Sequence, residues 1–80
     1  MEIDIIAYGI AKDILGGATI RFEIEDNARV NDLLTRLRHE YPDLEKLTSL
    51  AVALNEDYAN GDEAINPNDE IVLIPPVSGG

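Results

Sequence analysis

The stretch Val30-Asn31-Asp32-Leu33-Leu34-Thr35-Arg36-Leu37-Arg38-His39-Glu40-Tyr41-Pro42 decides the fold class. Val30, Leu33, Leu34, Leu37 and Tyr41 recur at helical spacing and form one apolar stripe. Asp26-Asn27 breaks the chain upstream, and Pro42 ends the helix because the residue before a proline is pushed out of the helical region. A stripe this apolar needs a second layer to bury it, and the flanking sequence supplies a sheet. Upstream, Glu2 to Tyr8 alternates, with Ile3, Ile5 and Ala7 on one face and Asp4, Ile6 and Tyr8 on the other, the period of a strand. Ile10 to Leu15 suits a short helix stopped by Gly16-Gly17. Ala18 to Glu25 alternates again and pairs with the first strand as a hairpin. Downstream, Leu44, Leu47 and Leu50 lead into a short strand, Ala51 to Leu54. Asn55-Glu56-Asp57 turns the chain, Tyr58-Ala59 returns as a brief edge, and turn-rich sequence leads to a last strand, Glu70 to Ile74.

The expectation is an α+β domain spanning residues 1–80, a mixed sheet of four to five strands with one main helix on one face. At this length the order of elements resembles the ubiquitin-like β-grasp fold, which implies that the first and last strands lie side by side and parallel at the centre of the sheet.

Composition narrows the function. Eighty residues hold one core and leave little room to wall off a deep substrate cavity, so an autonomous enzyme is disfavoured. With no cysteine there is no thiol nucleophile, thiolate metal site or disulfide. Sixteen acidic against six basic residues give a formal charge of −10, which repels nucleic acid and anionic membranes and favours basic protein surfaces. No apolar run approaches the ~20 residues of a membrane span, and Met1-Glu2-Ile3-Asp4 lacks the basic start of a signal peptide. A cytoplasmic location is expected.

The chain ends Ile74-Pro75-Pro76-Val77-Ser78-Gly79-Gly80. Two prolines cannot continue a sheet ladder, so the strand stops and Pro75 to Gly80 projects as a tail. Extended, six residues span roughly 20 Å at most, enough to reach a catalytic site inside a partner. Without side chains, Gly79 and Gly80 can enter a narrow tunnel. The chemical handle is then the Gly80 carboxylate, a poor acyl donor until a partner adenylates it. A frayed end is the bland alternative for Gly-Gly alone, but Pro-Pro-Val-Ser-Gly-Gly directly after an apolar strand favours a tail that is itself a substrate.

On these residues the chain resembles the small subunits of molybdopterin synthase, ubiquitin-like sulfur carriers that end in Pro-Pro-Val-x-Gly-Gly. Tyr8-Gly9-Ile10-Ala11-Lys12-Asp13 is similar to the family's segment after the first strand, Ala53-Leu54-Asn55-Glu56-Asp57-Tyr58 to its turn, and Asp69 to Ile74 to its last strand. Ile74 departs from the phenylalanine common there. The resemblance implies that Gly80 is adenylated, becomes a thiocarboxylate and donates sulfur to cyclic pyranopterin monophosphate. Gly79 gives clearance, and Pro75, Pro76, Val77 and Ser78 form the tether. It also implies a large catalytic subunit in a heterotetramer and a ubiquitin-activating-enzyme-like adenylyltransferase that consumes ATP, with no cofactor or metal bound by this chain. Related readings are a sulfur carrier for thiamine or cysteine synthesis and a ubiquitin-like protein modifier.

A second feature is apolar sequence on the wrong side of the strands. If Ile3, Ile5, Ile71 and Leu73 face the helix, Ile6, Tyr8, Val72 and Ile74 face away, and Tyr58 joins them. Such a patch rimmed by acids marks a protein contact, so Tyr8, Tyr58, Val72 and Ile74 are the expected partner-docking residues. The acidic pairs Glu56-Asp57, Asp62-Glu63 and Asp69-Glu70 lack the spacing of a calcium loop and read as solvated turns. His39 and Lys12 read as surface residues.

Overall fold

The computed structural model describes residues 1–47 and 49–76. In chain order the elements are β1 (Glu2–Ala7), α1 (Gly9–Leu15), β2 (Thr19–Glu23), α2 (Val30–Glu40), a 3₁₀ turn (Pro42–Lys46), β3 (Ala51–Leu54), β4 (Asp57–Tyr58) and β5 (Ile71–Ile74). The strands form one mixed sheet in the order β2-β1-β5-β3-β4. β1 and β5 run parallel, with Ile5 beside Ile71 and Ala7 beside Leu73, while every other neighbouring pair is antiparallel. A parallel pair needs a crossover connection, and here α2 lies within it. The central parallel pair is the arrangement expected of a β-grasp.

The core lies between α2 and one face of the sheet. Ile3, Ile5 and Ala7 of β1, Ile71 and Leu73 of β5 and Val52 of β3 are buried there with Val30, Leu33 and Leu37 of α2. Leu34 and Tyr41, at the margins of the helical stripe, are half-buried. Each fully buried leucine or isoleucine contributes about 1.5–3 kcal/mol by leaving water, so this one face supplies much of the fold's stability.

The N-terminus of α2 is capped by a distant loop. The Val30 and Asn31 N–H groups, which have no partner within the helix, donate to the carbonyls of Glu63 (3.0 Å) and Gly61 (3.0 Å). The Arg29 N–H donates to the Asp32 carboxylate at 2.9 Å, and the Arg29 guanidinium donates to the Asp62 carbonyl at 3.2 Å. Gly61 has φ +113, a backbone conformation that L side chains rarely adopt, and it lies against the Asn31 side-chain amide.

Several boundaries differ from the sequence expectation: β4 is Asp57–Tyr58 where Tyr58-Ala59 was expected, and β5 starts at Ile71, one residue after the expected Glu70. Tyr8 leaves β1 and becomes the residue before α1, which starts at Gly9. β2 is Thr19–Glu23, shorter than Ala18–Glu25, although the Ile24 N–H still donates to the Met1 carbonyl at 2.9 Å just beyond it. Pro42 ends α2 but also opens the 3₁₀ turn, since its fixed φ suits a first helical position. That turn sinks Leu44 into the core at 1% exposure.

Candidate functional site

β5 ends at Ile74, and Pro75 and Pro76 follow half-buried. Lacking N–H groups, they cannot extend the ladder. Pro75 rests against Gly9, the first residue of α1, where a Cβ would sit 3.4 Å from the Pro75 Cγ. The start of α1 therefore helps fix where the chain leaves the sheet. Val77, Ser78, Gly79 and Gly80 lie outside the described residues.

The sheet's outer face, opposite α2, carries the expected apolar residues. Pairing registers place Thr19, Ile6, Val72, Ala53 and Tyr58 in one row across all five strands. In the next row Ala51 pairs with Ile74, and Tyr8, one residue past the Ala7–Leu73 pair, lies level with Ile74. Tyr8 is 58% exposed and Tyr58 is 74% exposed, while Ile6, Val72 and Ile74 are half-buried. Tyr8, Tyr58, Val72 and Ile74 are thus brought onto one face, beside the point where the tail departs. Half-buried Ala51 and buried Ala53 lie in the same two rows. Sequence reading passed over them because alanine carries little apolar signal, although the alternation of β3 would have found them.

Asn55 is a further positioning residue. It and Glu56 form the two-residue β3–β4 turn with φ of +52 and +76, the left-handed pair of a type I′ hairpin. Its side-chain amide donates to the Asp69 carboxylate at 3.0 Å, and its side-chain carbonyl accepts the Glu70 N–H at 2.9 Å. These bonds tie the β4 edge, and with it Tyr58, to the entry of β5. Asparagine in a turn was visible in the sequence. Its partners 14 and 15 residues away were not.

Away from the tail the outer face is charged. Arg21 donates to Asp4 at 3.2 Å and lies 3.7 Å from Glu2. These exposed pairs contribute little to stability, but they bound the apolar patch.

Of the acidic pairs, Glu56 lies in the β3–β4 turn while Asp57 opens β4, and Asp62-Glu63 and Asp69-Glu70 lie in loops. The Glu63 carboxylate accepts the N–H groups of Asn60 (2.8 Å) and Gly61 (2.9 Å). The Asn60 bond is the main cause that holds its pKa below the ordinary 4.5, aided by its own N–H and that of Gly61. Asp69 accepts the Asn66 N–H at 2.7 Å. Among the described residues no three His, Cys, Asp or Glu side chains cluster as metal ligands. His39 and Lys12 are exposed on their helices. No helix among the described residues is long and apolar enough to cross a membrane.

A β2-β1-β5-β3-β4 sheet packed on one main helix, with its chain end leaving the central β5 strand, defines a ubiquitin-like β-grasp domain. The chain belongs to the ThiS family, whose model matches residues 5–80. It is 32% identical over 83 residues to the molybdopterin synthase sulfur carrier subunit of Chlamydomonas reinhardtii, covering 100% of both chains. It is also 32% identical over 77 residues to small archaeal modifier protein 1 of Haloferax volcanii, covering 85% of this chain and 88% of the relative. The crystal structure of SAMP1 from Haloferax volcanii superposes with a TM-score of 0.83 at 28% identity, covering 100% of both chains.

Proposed function

We propose that this chain is the sulfur carrier subunit of a molybdopterin synthase, working in the cytoplasm. The observation that carries the reading is full-length similarity to a chain of that name, in a sequence that ends Pro75-Pro76-Val77-Ser78-Gly79-Gly80. A Gly80 carboxylate oxygen attacks the α-phosphorus of ATP on an adenylyltransferase, releasing pyrophosphate and leaving an acyl-adenylate. A sulfide-level nucleophile then attacks the acyl carbon and AMP departs, leaving a thiocarboxylate. The large subunit transfers that sulfur to cyclic pyranopterin monophosphate, and water restores the carboxylate.

The carrier supplies the acyl group, and its partners supply the catalysis and bind the ATP. Tyr8, Tyr58, Val72 and Ile74 dock those partners in turn, in a heterotetramer with the large subunit. Gly79 lets the tail enter the partner's tunnel, and Pro75, Pro76, Val77 and Ser78 serve as its tether.

Similarity to a protein named a modifier favours a second reading, in which Gly80 forms isopeptide bonds with lysines. Intact mass after incubation with ATP, the adenylyltransferase and a sulfur donor tests both. The carrier reading expects one oxygen replaced by sulfur at the C-terminus, reversed on adding the large subunit and the pterin. Failure to gain sulfur, with high-mass conjugates in cells expressing a tagged chain, would overturn it in favour of the modifier.

A further inference from the structure

A second surface lies at the far edge of the sheet from Tyr58. β2 is the terminal strand, paired only with β1 among the described residues. The Ile24 N–H donates to the Met1 carbonyl at 2.9 Å and the Ala7 N–H to the Ala18 carbonyl at 2.8 Å. Antiparallel pairs alternate between hydrogen-bonded and non-bonded. The pairs Glu2–Glu23, Asp4–Arg21 and Ile6–Thr19 are therefore the non-bonded ones. The backbone N–H and C=O groups of Thr19, Arg21 and Glu23 consequently point away from β1, along an edge with no strand beside it.

Edges of this kind are commonly blunted by proline, lysine or a bulge. β2, Thr-Ile-Arg-Phe-Glu, contains neither proline nor lysine and pairs with β1 in unbroken register. Its one cation, Arg21, lies on the outer face against Asp4 and Glu2. On the helix side Ile20 and Phe22 are half-buried, with the Arg36 guanidinium 6.0 Å from the centre of the Phe22 ring. Where β2 ends, a groove of about 370 Å³ opens between the strand and α2, lined by Ile24, Glu25, Asp26, Asp32 and Arg36 among others. Glu23 and Glu25 stand at this end without an ion-pair partner among the described residues.

We propose that the β2 edge and the adjoining groove dock an extended, basic segment of a partner protein, which joins the sheet as a new strand. Three outward-facing residues offer backbone hydrogen bonds on alternate positions, the requirement for strand addition. Ile20 and Phe22 receive apolar side chains from the added strand. Glu23, Glu25 and the groove carboxylates receive its lysines or arginines, and the net charge of −10 draws such a segment in. A second copy fits poorly: symmetric antiparallel pairing about Arg21 would set arginine against arginine and join two chains of charge −10. Because β1 separates β2 from β5, a partner held here leaves Pro75 and the apolar outer face open. The inference does not depend on what Gly80 carries.

The test is an NMR titration of the ¹⁵N-labelled full chain with the synthetic peptide Ac-Arg-Arg-Val-Thr-Val-Thr-Val-NH2. A copy N-methylated at alternate amides serves as the control. The expected result is saturable binding with slowed amide exchange at Thr19, Arg21 and Glu23, abolished for the methylated peptide. Glu25→Arg should weaken binding roughly tenfold or more while leaving the amide spectrum of the core unchanged. Three results would overturn the proposal: no saturable binding, equal binding of the methylated peptide, or shifts confined to Ile6, Val72 and Tyr58. Concentration-dependent protection of the same edge amides without peptide would also overturn it, by assigning the edge to a second copy.

Discussion

Leu73 and Val72 are neighbours on β5, yet Leu73 is fully buried against α2 while Val72 is half-exposed on the opposite face. The same contrast runs through β1, where Ile5 is sealed and Ile6 is not. Both faces are apolar near the tail, but only one has a helix to cover it. The inner face accounts for why the chain folds, and the outer face holds apolar surface that folding leaves available for contact. Mutations on the two faces should therefore separate stability from partner binding.

The largest expected effect on stability is at the inner face. Leu73→Ala should lower unfolding free energy by about 2–5 kcal/mol, because it opens a cavity among Ile5, Val52 and the leucines of α2; chemical denaturation measures it. Tyr58→Ala should do the reverse. The side chain is 74% exposed, so stability should stay within about 0.5 kcal/mol of the parent. Affinity for the large subunit should fall by at least roughly tenfold, as for an aromatic anchor in an interface, and calorimetry reads that loss. Equal effects on stability from the two substitutions would erase the distinction between faces.

Smaller effects sharpen how the outer face is held in place. Asn55→Ala removes two hydrogen bonds to the entry of β5 and should cost about 1–2 kcal/mol, with amide shifts spreading to Tyr58. Acid should loosen the loop that caps α2. The folded-state pKa of Glu63 is depressed, so its contribution is present above the ordinary carboxylate value and fades as pH falls through the lowered one. Amide exchange at Asn60 and Gly61 should accelerate there before the β1 and β5 amides respond. Smallest of all, Glu56→Gly should stabilise by about 0.5 kcal/mol, since it relieves a left-handed glutamate at φ +76, and a thermal melt detects it.

Much of this was legible in local sequence because strand and helix periods are local. The Val30 to Tyr41 stripe gave α2, the alternation from Glu2 gave β1 and its two faces, and Pro75-Pro76 marked the end of β5. Contacts between distant segments were not legible. Nothing near Asn60-Gly61-Asp62-Glu63 indicates that its carbonyls cap a helix some thirty residues earlier, nor does Pro42 reveal that it opens a turn as well as closing a helix. The central parallel pair was expected from the resemblance, since no local pattern specifies strand order. The outward placement of Ile6, Val72 and Ile74 followed from alternation, which would also have found Ala51 and Ala53, whereas the role of Asn55 needed its partners across the sheet.

The central claim is that the acyl carbon of Gly80 is where sulfur is carried. Its most direct test adds one alanine after Gly80 and follows sulfur loading by intact mass, with the circular dichroism spectrum as the check on folding. The account predicts an unchanged fold and no replacement of oxygen by sulfur, since the glycine carboxylate is then an amide. Sulfur gained by the extended chain at the parent's rate would contradict it.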